Sequence, residues 1–279
     1  MTFAALSETP PGAPPVVLSI AAHDPLGGAG LAADLTTFAA LGVHGTVAVT
    51  AVTAQHLDRV DRVEPMPADL VAAQIDAVID SFPIAAVKTG LLGSAEIVDL
   101  VADRVLAGSL PAPVVDPVLV DGRGNRFVGS EIERAYRERL FPAAAVLTPN
   151  LGEASVLVGR PVAAISAVVD DVATALAELG AGHVVVTGGA DDHVHAVDAL
   201  IGRDGTIEYL PTPRIDTTDV RGSGCTLAAA TTAGLAHGRS VPEAVAEAKW
   251  FITARLEATD WPDLPGAGPV AHWFGPREA

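Results

Sequence analysis

The stretch that decides the fold lies near the start of the chain, where residues 16–42 are VVLSIAAHDPLGGAGLAADLTTFAALG. It begins with a mostly apolar run, residues 16–21, in which Ser19 is the one polar residue, and such a run is typical of a strand buried on both faces. A glycine-rich loop follows, and residues 31–41 then have a helical pattern that ends at Gly42. A buried strand, a tight loop and a helix in this order begin a βαβ unit, so the stretch predicts a parallel sheet.

The same alternation continues along most of the chain. Further strands are predicted at residues 46–54, 84–88, 114–116, 144–148 and 183–187. Helices are predicted at residues 68–81, 94–107, 130–140 and 167–179. Apolar strands that alternate with helices indicate a parallel sheet with helices on both of its faces.

The last third of the chain has a different pattern. Residues 194–201 and 206–210 flank the turn Gly202-Arg203-Asp204-Gly205 and predict an antiparallel hairpin at the sheet edge. Two helices follow, at residues 224–237 and 242–258. We therefore predict a three-layer α/β fold, with a mostly parallel central sheet, helices on both faces and an antiparallel edge hairpin. No repeat or long linker divides it, so we expect one domain over residues 16–279, after a disordered or frayed tail at residues 1–15.

Composition excludes several classes of function. The formal charge is −17, from 34 acidic and 17 basic residues, so the surface repels nucleic acid and anionic membranes. No apolar run approaches the roughly 20 residues of a membrane span, and the first residues lack the basic and apolar regions of a signal peptide. A single cysteine excludes an internal disulfide framework. We therefore expect a cytoplasmic protein that binds small molecules and neither nucleic acid nor membrane.

The candidate site lies at the carboxyl ends of the predicted strands, where open parallel sheets bind their ligands. Six predicted strands end in polar or glycine-rich segments. These segments are residues 22–30, Gln55-His56, Lys88-Thr89-Gly90, Asp116-Pro117, Thr148-Pro149-Asn150 and Thr187-Gly188-Gly189. We expect them to meet at one edge of the sheet.

A second glycine-rich segment, Gly222-Ser223-Gly224-Cys225, opens one of the late helices. Its glycines let backbone N–H groups turn toward a ligand, and the helix dipole adds about half a positive charge. Such donors suit a phosphoryl group during transfer. A helix start would also lower the pKa of the Cys225 thiol, which would make it a base or a reactive thiol. The segment alone is equally compatible with a tight turn and a buried thiol, and the six strand ends favour the phosphate site.

Two common nucleotide sites are disfavoured. The chain has no G-x-x-x-x-G-K-[ST] motif, which argues against a P-loop enzyme. Gly27-Gly28-Ala29-Gly30 does not fit G-x-G-x-x-G, which argues against a dinucleotide site. Three glycines in four residues exceed the needs of a turn, so a close approach of a ligand to this backbone is expected.

Several polar residues allow two interpretations. Asn150 and Glu153 share one face of a helix start and could organise Mg²⁺ and phosphate, but by itself the pattern favours a capping box. Asp116 is either a turn-former before proline or a carboxylate that directs a metal. His193 and His195, near Asp191 and Asp192, could bind a metal, although exposed hairpin residues are favoured. Residues 121–125 lack the acids of a calcium loop and predict a mobile loop whose Arg123 could reach a phosphate.

Together these features resemble the ribokinase-like superfamily, and within it the hydroxymethylpyrimidine/phosphomethylpyrimidine kinases of thiamine biosynthesis. The resemblance runs from Val16 to about Phe274. It is carried by His23-Asp24-Pro25, Gly27-Gly28-Ala29-Gly30, Asp34, Thr37-Phe38, Leu41-Gly42, Thr50-Ala51-Val52, Ala54-Gln55, Lys88-Thr89-Gly90-Leu91, Val115-Asp116-Pro117-Val118, Leu147-Thr148-Pro149-Asn150, Glu153 and Gly222-Ser223-Gly224-Cys225-Thr226-Leu227. The order and spacing of these motifs make coincidence improbable.

The resemblance implies a ribokinase-like fold and an activity. The expected enzyme phosphorylates the hydroxymethyl group of 4-amino-5-hydroxymethyl-2-methylpyrimidine. Whether it also phosphorylates the resulting monophosphate is left open. ATP would be the co-substrate, Mg²⁺ the cofactor and a homodimer the assembly. The alternatives are a pyridoxal/pyridoxine kinase, or a pyrimidine-binding protein of this fold with weak or lost kinase activity.

The resemblance also implies roles for individual residues. Gln55, with Ala29 and Asp34 near it, would hold the pyrimidine and its amino group, and Leu91 and Val118 would form apolar walls. Gly222, Ser223 and Gly224 would form the anion hole, beside Cys225 at the position of the catalytic base. The remaining expected contacts are Asn150, Glu153 and Asp116 with Mg²⁺ and its water, and Thr187 and Gly189 with ATP.

The sequence also departs from the family pattern. The lysine that usually contacts the ATP phosphates is Thr187 here, which should weaken nucleotide binding unless Arg221 or Arg123 replaces it. The usual serine before the first glycine pair is Leu26, and the usual asparagine after Gln55 is His56. The usual Ala-Lys-Ser-Gly is Asp121-Gly122-Arg123-Gly124. Substrate identity is therefore less constrained than the fold.

Overall fold

The apolar run that opens residues 16–42 forms a strand near the middle of the sheet. The computed structural model describes residues 12–120, 126, 128–189, 194–264 and 266–272. In it, β1 spans Val16–His23 and is buried until its last residue. Of the predicted tail, residues 1–11 lie outside the described part, and Pro15 accepts a hydrogen bond from the N–H of His44 at 2.8 Å.

One sheet contains the nine strands of the described residues, in the order β3-β2-β1-β4-β5-β6-β7-β8-β9. After β1, the strands are β2 His44–Gln55, β3 Val60–Pro65, β4 Ile84–Thr89, β5 Val114–Val115, β6 Val146–Leu147, β7 His183–Val186, β8 His195–Gly202 and β9 Ile207–Pro213. The six adjacent strands from β2 to β7 in this order are parallel. β8 runs antiparallel to β7 and β9 antiparallel to β8, so the predicted edge hairpin is confirmed.

An antiparallel strand also lies at the opposite edge, and the sequence did not predict it. β3 pairs with β2, and its side chains are exposed or only partly buried. Its sequence, VDRVEP, carries three charged residues and so lacks the apolar run that identified the other strands. Charged side chains are common on edge strands because they discourage pairing with another chain.

The helices cover both faces of the sheet. They are α1 Gly30–Ala40, α2 Ala68–Ser81, α3 Ala95–Leu106, α4 Ser130–Ala135, α5 Leu151–Val158, α6 Asp170–Ala177, α7 Ser223–Ala236 and α8 Val241–Glu257. A π-helical turn, Tyr136–Leu140, continues α4 and accounts for the longer helix predicted there. For α5, the sequence analysis predicted only the start of the helix, at Asn150 and Glu153. Among the described residues, no helix has the length and apolar character needed to cross a bilayer.

Two hydrophobic layers result, one on each face of the sheet. The larger contains buried side chains of α2 to α6, and the other contains those of α1, α7 and α8. α7 is rich in alanine, and its residues from Thr226 to Gly234 are all buried. Small side chains allow this helix to lie close to β4 and β5. The predicted three-layer fold is therefore confirmed.

A buried ion pair joins the second layer to the sheet. Lys249 Nζ of α8 lies 2.9 Å from Asp198 Oδ2 of β8, and these side chains are only 7% and 4% exposed. The other carboxylate oxygen of Asp198 accepts the N–H of Gly188 at 2.9 Å. The pair thereby connects α8 to the loop that leaves β7.

Replacing Lys249 with methionine should destabilise the protein strongly. Loss of the ammonium group leaves the Asp198 carboxylate buried without its cation, which typically costs about 3–5 kcal/mol. Urea unfolding monitored by circular dichroism measures the change. Arg239→Met is the control, since Arg239 pairs with Glu247 at 3.1 Å where both side chains are more than half exposed, and it should change little. Equal effects of the two variants would contradict a stabilising role for the buried pair.

Candidate active site

The polar strand ends meet at one edge of the sheet, as predicted. β2, β1, β4, β5, β6 and β7 are adjacent and parallel, so their carboxyl ends lie side by side. α1 begins at Gly30 directly after β1, and α7 packs against α1 and β4. The positive ends of helix dipoles therefore add to the polar groups of this edge.

The two glycine-rich segments contact each other through their backbones. Gly222 has a φ of 80°, and a Cβ atom there would lie 1.7 Å from the carbonyl oxygen of Gly28. A Cβ atom on Gly28 would in turn lie 2.6 Å from Pro269 Cβ. Packing therefore requires glycine at both positions. Gly224 differs, because a Cβ atom there would meet nothing within 4 Å.

Within the part of the chain that the structure describes, two backbone N–H groups in the first turn of α7 have no acceptor and are available to a ligand. The N–H of Ser223 donates to the carbonyl of Val220 at 3.1 Å. The next two N–H groups, of Gly224 and Cys225, precede the first intrahelical bond, which Thr226 makes to Gly222 at 2.9 Å. Of the predicted anion hole, Gly224 thus offers an N–H, Ser223 has its N–H engaged, and Gly222 shapes the turn.

The thiol of Cys225 has a raised pKa, so the prediction of a lowered value is wrong. Burial and the carboxylate of Asp116 raise it, and together they outweigh the opposing effects of Lys88 and of the Gly30 N–H bonded to the thiol. The thiol therefore stays protonated at neutral pH. It hydrogen-bonds to Asp116, an acceptor that the sequence around Cys225 does not reveal.

A fully buried lysine lies beneath the site. Lys88 Nζ at the end of β4 is 2.9 Å from the carboxylate of Asp34, and neither side chain is exposed. Ser19 Oγ donates to the same carboxylate at 2.6 Å. Burial alone lowers the pKa of Lys88, but the carboxylates of Asp34 and Asp116 act against burial and the pKa is raised, so the lysine is charged. Asp34, predicted beside the pyrimidine, thus lies below the site surface and contacts Lys88.

Lys88 is a functional candidate that the sequence analysis did not single out by its charge. The available signal was a lysine at the end of an otherwise apolar strand, since a buried lysine requires a partner. Its effect reaches the site through Asp116 and Cys225, whose side chains both interact with it electrostatically.

Two further carboxyl groups lie at the ends of β5 and β6. Asp116 is 6% exposed and Glu153 is 2% exposed. Glu153 accepts the N–H of Leu119 at 2.9 Å and that of Asn150 at 3.0 Å, while Asn150 Oδ1 accepts the N–H of Glu153 at 2.9 Å. The capping box that the pattern favoured is therefore present. Burial and the nearby Asp116 raise the pKa of Glu153 to about 8.

These carboxyl groups fit a divalent cation that is completed by phosphate and water. Within the described residues, no group of three or more His, Cys, Asp or Glu side chains is placed to bind a metal. Mg²⁺ commonly uses one or two protein carboxylates, with substrate phosphates and water as its other ligands. Asp116 matches that requirement directly. Glu153 would have to lose the proton that its raised pKa retains, and Asn150 would contribute through water because its Oδ1 caps α5.

The predicted nucleotide contacts come together at the ends of β6 and β7. Thr187 donates its N–H to the carbonyl of Pro149 at 3.0 Å and forms a bridge with Asn150. The carbonyl of Gly189 accepts a hydrogen bond from Arg214 at 2.9 Å. Arg123 and the loop 121–125 lie outside the described residues, as do residues 190–193 with His193. His195 is exposed at the start of β8.

The predicted pyrimidine contacts lie around the ends of β1, β2, β4 and β5. Gln55 ends β2 and is partly buried, and Ala29 precedes α1 with its N–H on Asp24. Leu91 is 9% exposed. Val118 has a φ of 42°, an unusual conformation for a β-branched residue that suggests a functional constraint.

Arg221, considered above as a phosphate contact, instead places its guanidinium group on Asp24 and Gln55.

Alanine at Gly222 and at Gly224 should have opposite effects on stability. Gly222→Ala places a side chain at positive φ against the Gly28 carbonyl, which should cost at least about 2 kcal/mol. Gly224→Ala enters open space on a helix, where alanine is favoured by up to about 1 kcal/mol. Thermal and urea unfolding of the two variants tests this. Equal stability would contradict the close approach of the two segments.

The unfolding free energy should depend on pH through Glu153. Its pKa is about 8 in the folded chain against an ordinary value of 4.5, so the folded chain keeps a proton that the unfolded chain releases. The stabilisation is complete below pH 4.5 and is lost as the pH rises toward 8. Urea unfolding from about pH 5 to pH 8 should show a smaller decline for Glu153→Gln than for the wild type. Parallel declines would contradict the raised pKa.

Comparison with known proteins identifies the family of this chain. A family model described as phosphomethylpyrimidine kinase matches residues 24–271. The hydroxymethylpyrimidine/phosphomethylpyrimidine kinase of Streptomyces coelicolor is 44% identical over 95% of this chain and 97% of the relative. The fold and the family resemblance predicted from the sequence are thereby confirmed.

Solved structures of two pyridoxal kinases are similar over almost the whole chain. The ADP complex of the Bacillus subtilis enzyme has a TM-score of 0.85 and 38% identity, over 92% of this chain and 97% of that one. The Staphylococcus aureus enzyme with AMP-PCP and pyridoxal has a TM-score of 0.83 and 37% identity, over 94% of each chain. The matched family model and the identity to its kinases lead to one conclusion: this chain belongs to the phosphomethylpyrimidine kinase family.

Proposed function

We propose that this chain transfers the γ-phosphoryl group of ATP to the hydroxymethyl group of 4-amino-5-hydroxymethyl-2-methylpyrimidine, in thiamine biosynthesis. The monophosphate is proposed as its second substrate. The observation that carries the proposal is the start of α7, where open N–H groups of Gly224 and Cys225 lie at the edge formed by six parallel strand ends. Family membership and the S. coelicolor relative support the choice of substrate.

The backbone at α7 would stabilise the transferring phosphoryl group. Its equatorial oxygens need fixed donors, because the transition state of phosphoryl transfer is largely stabilised by position and charge. Gly224 and Cys225 supply two N–H groups, and the dipole of α7 adds positive potential.

Cys225 would position the reacting hydroxyl group rather than remove its proton. The raised pKa keeps the thiol protonated, and its S–H is directed to Asp116. A protonated thiol is a poor base, but it can fix the substrate oxygen beside the N–H groups of α7. Because the transition state is loose, little proton removal is needed before the phosphoryl group moves.

Mg²⁺ and ATP would bind at the ends of β5, β6 and β7. Asp116 and Glu153 would hold the cation, with Asn150 reaching it through water. When bound, Mg²⁺ neutralises charge on the β- and γ-phosphates. The loop with Thr187 and Gly189 would contact the phosphates. AMP-PCP and ADP in the two similar pyridoxal kinases support ATP as the co-substrate.

The pyrimidine would lie between the ends of β1, β2, β4 and β5. Gln55 would bind its ring, and Ala29 would approach it through the backbone of the glycine-rich loop. Leu91 and Val118 would contact the ring faces. Asp34 would act indirectly, through the charge of Lys88.

We further propose a homodimer in the cytoplasm. The single cysteine in the sequence supports a reducing compartment. The dimer rests on family resemblance, and size-exclusion chromatography with light scattering measures it directly.

Pyridoxal is the second candidate substrate, because the two similar structures described above are pyridoxal kinases. An ADP-release assay with purified protein and Mg-ATP should compare hydroxymethylpyrimidine, its monophosphate, pyridoxal and pyridoxine. We expect kcat/KM for hydroxymethylpyrimidine to exceed that for pyridoxal at least about tenfold. Efficient turnover of pyridoxal or pyridoxine, without turnover of either pyrimidine, would overturn the pyrimidine assignment. Tight pyrimidine binding without any turnover would indicate a binding protein.

Gly224→Ala should separate catalysis from stability. The added methyl group occupies the open space beside the two N–H groups and would displace the phosphoryl oxygens. We expect kcat to fall about 100-fold or more, as for the loss of an oxyanion donor, while the unfolding free energy is unchanged or higher. Normal kcat in this variant would show that the start of α7 does not hold the phosphoryl group.

A further inference from the structure

Arg221 is fixed at both its backbone and its side chain. Its N–H donates to the carbonyl of Gly268 at 3.1 Å, and its carbonyl accepts the N–H of Val270 at 3.0 Å. Its Nη2 lies 3.2 Å from Asp24 Oδ2, and the two side chains are 14% and 4% exposed. The guanidinium group is therefore held in place beside Asp24.

Asp24 connects Arg221 to the glycine-rich loop. Its carboxylate accepts the N–H of Leu26 at 3.0 Å and that of Ala29 at 3.0 Å. The same carboxylate thus shapes the loop and fixes the guanidinium group. Arg221 remains free to use its other donors on a neighbour.

That neighbour is the amide of Gln55. One amide atom of Gln55 lies 2.5 Å from Arg221 Nη2 and 3.3 Å from Nη1. Since both guanidinium nitrogens can only donate, the atom facing them is the amide oxygen. The amide nitrogen then faces Thr53 Oγ1 at 3.3 Å.

Thr53 confirms this orientation of the amide. Its hydroxyl group donates to the carbonyl of His23 at 3.0 Å, which uses its one hydrogen. The hydroxyl oxygen can therefore only accept from Gln55. Each donor in this series then faces an acceptor: Arg221 donates to Gln55, Gln55 to Thr53, and Thr53 to the carbonyl of His23.

The orientation determines what Gln55 can offer a ligand. Its oxygen receives both Arg221 donors, and one of its two N–H groups faces Thr53, so one N–H remains for a ligand. We propose that Arg221 determines substrate specificity by fixing the Gln55 amide with this N–H outward, so that the site selects a ring bearing a hydrogen-bond acceptor at that position. A glutamine without this contact could rotate by 180° and accept either pattern.

The inference rests on the proposed function, and it deepens it through the chemistry of the ring. In 4-amino-5-hydroxymethyl-2-methylpyrimidine the ring nitrogen beside the amino group carries a lone pair and accepts a hydrogen bond. In its 4-oxo analogue the same nitrogen carries a hydrogen and donates one. The two ligands have nearly the same shape, so their relative affinity reports the direction of the amide.

Isothermal titration calorimetry should measure both ligands without nucleotide. For the wild type we expect the amino compound to bind about 10–100-fold more tightly than the oxo analogue, because a mismatched donor leaves buried groups unpaired. In Arg221→Met the preference should fall to within about threefold, since the amide can rotate. Arg239→Met is the control. Arg239 is exposed and follows the C-terminal end of α7, whereas Arg221 precedes the start of that helix, so this variant should keep the wild-type preference.

Two more variants keep the test informative if Arg221→Met fails to fold. Arg221→Lys retains a cation for Asp24, but one ammonium group cannot hold both Asp24 and Gln55, so the preference should also fall. Gln55→Glu keeps a partner for Arg221 and replaces the N–H with an acceptor. It should therefore reverse the preference toward the oxo analogue.

The outcomes separate this inference from the proposed function. Wild-type protein that binds neither pyrimidine would overturn the proposed function, and the inference with it. Wild-type preference for the amino compound that persists in Arg221→Lys and Arg221→Met would overturn the inference alone. A preference for the oxo compound in the wild type would show that the amide points the other way, and would also overturn it.

Discussion

The arrangement of the site depends on one buried positive charge. Lys88 has no exposed side-chain surface, and Asp34 holds its ammonium group at 2.9 Å. An unpaired charge at such a position would be prohibitively costly, so the surrounding acids are required for the lysine to remain ionised. Asp116 and Cys225 lie within its electrostatic reach, and Asp116 in turn raises the pKa of Glu153. A change in the charge of Lys88 would therefore spread to the thiol and to both carboxyl groups.

Sequence analysis succeeded where local pattern and local structure coincide. α2 was predicted with its observed bounds because its apolar residues recur with helical spacing between Pro67 and a strand. β3 was missed because an edge strand needs no apolar run, and VDRVEP has none. The pKa of Cys225 was predicted in the wrong direction because only the helix dipole is visible from its neighbours. Burial, the largest cause of the raised pKa, and the carboxylate of Asp116 both come from parts of the chain that are distant in sequence and are brought to the thiol by the fold.

The roles of individual glycines also could not be predicted from the sequence. Gly222, Gly28 and Gly224 are indistinguishable in the sequence as members of glycine-rich segments. In the structure, the first two allow one backbone to approach another, and the third borders open space. The alternatives of a packing turn and a ligand-binding loop are thus both present, at different residues of the same segments. Packing between Gly222 and Gly28 sets the position of the N–H groups that follow, so the two roles are physically linked.

The departures from the family pattern redistribute charge within the site. Thr187 leaves the loop after β7 without the lysine that usually contacts ATP phosphates, and Arg221 does not replace it, because Asp24 and Gln55 hold its guanidinium group. In a chain of net charge −17, the proposed phosphate site would therefore depend on backbone N–H groups, helix dipoles and the proposed divalent cation. Backbone donors are fixed in place by the fold, whereas a lysine side chain loses rotamer freedom on binding. A site of this kind would have weaker long-range attraction for a nucleotide, but it would retain stabilisation at the reacting phosphoryl group, where stabilisation lowers the barrier.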